Sequence, residues 1–430
     1  MTGQHVLFHG TAVENAGAPA YLADQQLATM RQWGFNALRV GFHWHLYETA
    51  PGAFNETYLE AVATMVKRAG EHGLYSFLDM HQDSWSPLFC GGHGIPWFYA
   101  TPADEPRFWA PSGNTTFPWP VAAPAYSNPP DCFDEAGHWC QIADCSNVSA
   151  SPIGWAGTYA TAAISSAAER LYKDETVRGA FLAFWTRVAA RFRQPDVAAH
   201  VLGYEIINEP WEGDIYANLS LLIPGEADRI NLQPFYDAVS EALRAADPDT
   251  ILFFEPATGG NILDSPPTGL THAPGGPEHA HRSALSYHIY CLLLESDMHV
   301  NPHPGSNDTT AWAEYEACKW GNGIQFDVRH KDVQKLGVAG FLSEFGAVDE
   351  APQTIDVLRY TTAAMDDQLT SWAYWLITPS MNASKPNWEP KWLSRTYPRR
   401  SPGALLSVHF NDTTGDFNCT FLAEAALGNT

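Results

Sequence analysis

The chain has 430 residues, 45% of them hydrophobic and 13% aromatic, with 16 Trp and a formal net charge of −24. That much apolar material builds a sizeable core in one large domain, with room for part of another. A surface this negative repels phosphate backbones, which excludes nucleic acid as a partner, and it does not bind anionic membranes by charge. No apolar run reaches the roughly 18 residues that a membrane-spanning helix needs.

From the start, short apolar strands alternate with helical patterns, the signature of a parallel sheet wrapped by helices. The first ten residues lack the charged start and apolar stretch of a signal peptide, so the chain is expected to be a fragment whose leader is missing. Strands are expected at 6–9, 36–42 and 74–81, with helices at 22–33 and 58–71, the latter presenting Leu59, Val62, Ala63 and Val66 on one face. Regular alternation then stops. Residues 82–171 are rich in Pro, Gly and aromatics, and so long an insertion in a compact domain is usually functional. A helix follows at 177–192, where Phe181, Phe184, Val188 and Phe192 share a stripe. Strands at 201–209, 250–256, 284–290, 340–346 and 371–377 complete a set of eight, with helices at 234–246, 327–336 and 354–369. The pattern fits an α/β fold, a (β/α)8 TIM barrel occupying residues 1–392 with the insertion at about 82–171. Residues 393–430 carry two alternating strands, 404–410 and 416–421, across a turn at 412–415. They are expected to be the first strands of an incomplete C-terminal β-sandwich.

Barrels of this kind keep their sites on the loops after the C-terminal strand ends. Two such ends carry the strongest signals. Tyr204-Glu205-Ile206-Ile207-Asn208-Glu209-Pro210 closes the fourth strand, and Leu342-Ser343-Glu344-Phe345-Gly346 closes the seventh. A period of two puts Glu205, Ile207 and Glu209 on one face, and Leu342 with Glu344 on another. Strands four and seven stand across the barrel, so Glu209 and Glu344 can converge over its mouth. Glycoside hydrolysis needs that pair: one carboxyl protonates the leaving oxygen, while the other attacks the anomeric carbon or activates water against it. The acid must hold its proton at rest, through burial or a charged neighbour. A lone glutamate is ordinarily a solvated or salt-bridged loop residue; the paired placement is what reverses that reading.

These motifs resemble glycoside hydrolase family 5 of clan A. Phe8-His9-Gly10, Leu78-Asp79-Met80-His81-Gln82-Asp83, Gly203 to Trp211 and Gly91-Gly92-His93-Gly94-Ile95-Pro96-Trp97 narrow the resemblance to its endoglycoceramidase-like subfamily, over nearly the whole chain. The resemblance implies Glu209 as acid/base and Glu344 as nucleophile. It implies Asn208 on the sugar 2-hydroxyl and Arg39 under the nucleophile, keeping it ionised. Asp79, His81 and Asp83 would line the sugar site. Tyr290 would donate to Glu344, His288 would support the acid/base side, and Trp375 would form the platform under the sugar ring. A glycosphingolipid substrate, cut between glycan and ceramide, is implied, together with possible transient membrane contact through the C-terminal domain. One departure is the loop Thr11-Ala12-Val13-Glu14-Asn15-Ala16, which lacks the lysine that family members often place against an outer sugar.

Alternatives remain open: a glucosylceramidase or steryl-β-glucosidase of the same family, or a non-catalytic glycolipid-binding protein. The chemistry calls for no cofactor and no metal. His43 with His45, and His272 with His279 and His281, are weighed as metal ligands but lack useful partners in the sequence. The chain is expected to be a monomer. Eight Asn-x-Ser/Thr sequons, at Asn55, Asn114, Asn147, Asn218, Asn307, Asn382, Asn411 and Asn418, point to an extracellular or secretory/lysosomal protein. So do seven cysteines, with Cys132, Cys140 and Cys145 clustered, Cys291 and Cys318 bracketing a second loop, and Cys419 the odd one.

Overall fold

The computed structural model describes residues 6–13, 22–89, 92–100, 159, 162–258, 266–291, 309–346, 352–376 and 392–423. Eight parallel strands close a barrel. They are β1 His9–Val13, β2 Ala37–Phe42, β3 Tyr75–Met80, β4 Val201–Glu205, β5 Ile251–Phe254, β6 Ser283–His288, β7 Ala339–Glu344 and β8 Ser371–Tyr374. Each neighbours the next in sequence, and β1 closes on β8 through His9 beside Trp372. Helices α1 Asp24–Gln32, α2 Glu56–Glu71, α3 Ala162–Lys173, α4 Glu175–Phe192, α5 Gln233–Ala246, α6 Thr309–Leu336 and α7 Pro352–Gln368 accompany the strands.

Local chemistry explains the helix starts. Asn55 accepts the Tyr58 backbone N–H at 3.1 Å and opens α2. Asp174 accepts from Thr176 at 2.8 Å and Val177 at 3.2 Å and opens α4. The apolar stripes of both helices are buried as the periodicity predicts, with Trp185 added on α4. Three boundaries differ from expectation. Strand β1 runs His9–Val13 rather than 6–9, because the backbone of 10–13 is the part that pairs with β2. Helix α6 begins at Thr309 rather than near 327, and the end of the 82–171 insertion is helical from Ala162. Most of that insertion, with Cys132, Cys140 and Cys145, lies outside the described residues.

Inside the barrel, Phe77, Phe253, Ala284, Phe341 and Ala373 form one apolar layer, with Phe77 stacked on Phe253 at 4.6 Å between ring centroids. Two residues further along their strands stand Asp79, Glu255 and His288's neighbour Ser286, so polar groups lie directly above a hydrophobic floor. The expected period fails in two places. Phe341 faces the interior, while Leu342 packs into the helix-facing core. Glu344 still reaches the mouth because the β6–β7 register slips, pairing Tyr287 with Leu342 but His288 with Glu344. On β4 the regular strand ends at Glu205, and Ile207 joins the outer core rather than the face of Glu205.

The last elements are an antiparallel hairpin, β9 Gly403–Phe410 and β10 Phe417–Ala423, close to the expected strands. Leu405 and Val408 pack on Leu7. Arg359 of α7 pairs with Asp412 at 2.7 Å, and Arg395 pairs with Asp366. Cys291 and Cys318 form a disulfide, while Cys419 is a free thiol on β10.

Candidate active site

The structure gathers all ten residues singled out from the sequence at the C-terminal end of the barrel. Arg39, the buried centre, sits at 1% exposure on β2. Its Nε donates to Glu205 at 2.5 Å, its Nη1 to Glu344, and its Nη2 to Asn208 Oδ1 at 2.7 Å, with Asp79 at 3.1 Å. One fork thus serves an ion pair inside the barrel and the nucleophile together. Tyr290 donates its hydroxyl to the other Glu344 oxygen at 2.8 Å. It does so from just beyond β6, which ends at His288.

Glu209 lies on no strand. Its backbone has φ 41°, the left-handed region that a residue with a side chain occupies at a cost. Three hydrogen bonds hold it there. Gln82 Nε2 donates to the Asn208 and Glu209 carbonyls, each at 2.9 Å, and the Glu209 N–H reaches Glu255 Oε1 at 3.3 Å. Gln82 is itself fixed through its Oε1, which accepts the Trp85 N–H at 2.8 Å. Asn208 is anchored by its N–H to Met80 O at 3.0 Å and its amide to Gln82 O at 3.0 Å. Neither Gln82 nor Glu255 was assigned a role from the sequence. Gln82 was legible only as part of a motif, and Glu255 as the end of a strand.

A carboxylate oxygen of Glu209 and one of Glu344 lie within 4.8 Å of each other, and a ring nitrogen of His288 lies within the same distance of both. Retaining hydrolysis places its two carboxyl groups about 5 Å apart, whereas inversion needs room for a water between them. The site therefore has the retaining spacing.

The two carboxyls differ in environment. Burial, and then the charge of Asp83, lift the Glu209 carboxyl to about 7. Burial also raises Glu344, with His288 and Arg39 pulling the opposite way. His288 is pushed down to about 4, chiefly by burial, so its imidazole is neutral at working pH; its Nδ1 lies 2.8 Å from Glu209 and 3.4 Å from Glu344. A protonated acid beside an arginine-bound nucleophile is the division of labour that the reaction needs.

The expected pH profile follows from these shifts. The general acid works in its protonated form, so kcat/KM should fall above about pH 7, by about tenfold per unit. Stability moves in the same direction. The folded chain keeps the Glu209 proton through a window, from the ordinary 4.5 to about 7, in which the unfolded chain releases it. This group therefore weakens the fold as pH rises across that window. Measuring kcat/KM from pH 4 to 9 checks the limb. A flat profile through pH 8 contradicts the assignment.

Asp79, His81 and Asp83 stand together beside the pair. His81 Nδ1 lies 2.5 Å from Asp79, and its Nε2 lies 3.4 Å from Asp83. His93, which carried no role beyond its motif, meets Asp83 at 3.2 Å. Burial would raise Asp83, but His81 and His93 outweigh it and hold the carboxyl below the usual carboxylate range. The Trp375 ring stacks on His81, with centroids 5.0 Å apart and planes 12° apart. Gly346, bridged to Trp375, has φ 118°, and a Cβ there would stand 2.2 Å from the Tyr374 ring, so the close approach of these two strand ends requires glycine. His43, His45, His272, His279 and His281 join no ligand-like cluster among the described residues.

The description "Cellulase (glycosyl hydrolase family 5)" matches residues 1–106 and 135–381. An endoglycoceramidase of Cyanea nozakii is 28% identical over 464 aligned positions, spanning 100% of this chain and 80% of that protein. A glucosylceramidase of Aspergillus fumigatus is 34% identical over 104 positions, only 23% of this chain and 14% of that one. Among solved structures, endo-glycoceramidase II from Rhodococcus sp., in complex with a five-membered iminocyclitol, superposes with a TM-score of 0.72 at 20% identity, covering 99% of this chain and 86% of that one. That likeness concerns the fold, and it agrees with the closed barrel. With most of its length under the family description and two carboxyls at retaining distance over the barrel mouth, the chain belongs to glycosyl hydrolase family 5.

Proposed function

We propose that this protein is a retaining hydrolase of glycosphingolipids, cleaving the β-glycosidic bond between glycan and ceramide. The observation that carries the chemistry is the pair Glu209 and Glu344, within 4.8 Å and held on Arg39, Tyr290 and His288. Glu344 attacks the anomeric carbon while Glu209 gives its proton to the ceramide oxygen, leaving a glycosyl ester on Glu344. Glu209, now ionised, takes a proton from water; the water oxygen attacks the anomeric carbon and releases Glu344 and the glycan with net retention. Asn208 keeps amide hydrogen-bonding capacity beside the pair for the sugar 2-hydroxyl, and Trp375 offers its ring face to the sugar.

The choice of substrate is supported by the end-to-end alignment with an endoglycoceramidase, against the short one with a glucosylceramidase. An intact catalytic pair weighs against a non-catalytic glycolipid binder. An oxidising, extracellular or secretory/lysosomal setting is supported by the Cys291–Cys318 disulfide and by exposed sequons at Asn55 and Asn418. Transient bilayer contact is supported by Leu219, Leu222 and Ile223, exposed by 57%, 46% and 57% on the segment after β4, at the catalytic face. A glycan on the adjoining sequon, Asn218, would hold that patch off a bilayer.

The test is parallel incubation with lactosylceramide and glucosylceramide in detergent, with products read by mass spectrometry. Intact lactose and ceramide from the first are expected. Glucose from glucosylceramide alone would replace this reading with a glucosylceramidase. Silence on both, from folded protein, would remove the glycolipid.

A further inference from the structure

We infer that Glu255, one residue beyond β5, is a positioning residue that carries a proton, shares it with Glu205, and thereby fixes both the general acid and His288. The inference rests on the reading of Glu209 as acid/base.

Glu205 and Glu255 are both fully buried, above the phenylalanine floor. Glu205 pairs in register with Phe253, two residues before Glu255, so the two carboxyls face the same space. An oxygen from each lies within 4.8 Å of the other and of a His288 ring nitrogen. Arg39 is committed elsewhere. It bonds Glu205, Glu344, Asn208 and Asp79 and stands 3.8 Å from Glu255. Two oxygens are left buried without a hydrogen-bond donor among the described residues: Glu205 Oε1 and Glu255 Oε2. Two acceptor-only groups in that position are costly, and one proton answers both. Placed on the Glu255 oxygen that lacks a partner and directed toward Glu205, it supplies the donor that this pair lacks.

The charges around Glu255 favour its neutral form. Glu205 and Glu209 face it from β4 and the loop beyond, Glu344 from β7, and only Arg39 of β2 opposes them, with neutral His288 on β6. Burial comes first, and together with Glu205 it pushes this carboxyl well above the usual range.

With the proton on the other oxygen, Oε1 stays an acceptor. As a carbonyl oxygen it accepts the Glu209 N–H at 3.3 Å, one of the bonds that keep the left-handed Glu209 in place. It also faces His288 Nε2 at 3.6 Å. An Nε2–H directed there leaves the Nδ1 lone pair toward Glu209 Oε1, 2.8 Å away, as the resting acceptor of the catalytic proton. Glu255 thus sets the tautomer of the histidine that holds the acid.

The experiment compares Glu255→Gln with Glu255→Leu. Glutamine is neutral and keeps a carbonyl acceptor. It should retain kcat within about threefold and leave the alkaline limb of kcat/KM unmoved, whereas leucine should lose about tenfold or more in kcat with little change in KM. Infrared difference spectra at pH 8.5, where Glu209 is ionised, should show a protonated-carboxyl band in the parent that is lost in Glu255→Gln. Two results overturn the proposal. One is an alkaline limb moved down by about one unit in Glu255→Gln, since loss of a negative charge would lower Glu209's pKa. The other is the absence of the band. If the leucine variant fails to fold, the glutamine limb and the band still decide. Because the band needs no substrate, a protein inactive on every glycoside would refute the catalytic reading while leaving the shared proton separately measurable.

Discussion

Glu344→Gln should lower kcat by about 10⁴-fold or more while leaving the protein folded. An amide has the shape of the carboxylate but no nucleophilic charge. Tyr290 can still donate to its oxygen, and Arg39 keeps Glu205 and Asp79, so the site loses its reacting atom without losing its frame. The loss should be independent of the leaving group, because no substrate avoids the attack on the anomeric carbon. Glu344→Gly with added azide supplies a sharper check. Azide entering from the vacated face should form a glycosyl azide of inverted anomeric configuration. Residual turnover of Glu344→Gln above about one percent, after exclusion of contaminating wild type, would remove Glu344 from the nucleophile's role.

Glu209→Ala should show a different pattern, and the difference separates the roles. On a glycolipid the leaving ceramide alkoxide needs a proton, so kcat should fall by about 10² to 10⁴. On an aryl glycoside whose phenol leaves without help, formation of the glycosyl-enzyme should be nearly unimpaired. The second step still wants a base, so the ester should accumulate, giving a burst and a depressed KM. Azide should then restore turnover with retained configuration. Equal losses on both substrates would contradict general acid catalysis by Glu209. The alanine also keeps the backbone problem in place, since φ 41° is no easier for alanine than for glutamate.

Much of this candidate site was legible because Glu209 and Glu344 stand at the C-terminal ends of two segments that lie across a barrel. Alternating strand and helix patterns placed seven of the eight strands, with the first lying at His9–Val13 instead of 6–9, and the strand ends pointed to the pair. What the sequence could not carry was phase. Period two groups Leu342 with Glu344, yet they part because a residue is skipped between β6 and β7. The same rule extends β4 to Glu209, yet the chain leaves the strand at Glu205 and turns left-handed to aim the acid. Both deviations are set by partners on other strands, and nothing local announces them. Glu255 was missed for a related reason: its meaning comes from the Glu209 N–H, 46 residues earlier, and from Glu205 and His288 on the flanking strands. His93 and Gln82 were likewise visible as letters of a motif, with their partners hidden until the chain folds.

The disulfide stands one residue from catalysis. Cys291 follows Tyr290 directly, and its bond to Cys318 staples that strand exit to the long helix α6. The tyrosine that steadies the nucleophile is therefore moored by a covalent link rather than by packing alone. Cutting the link frees the exit of β6 while the barrel ladders stay intact, so reductant should slow turnover before it melts the fold. Catalytic competence then depends on the redox state of one bond: with it closed the strand exit is tethered, and with it open the exit is slack. Comparing kcat with the thermal midpoint across a reductant titration would register the two losses separately.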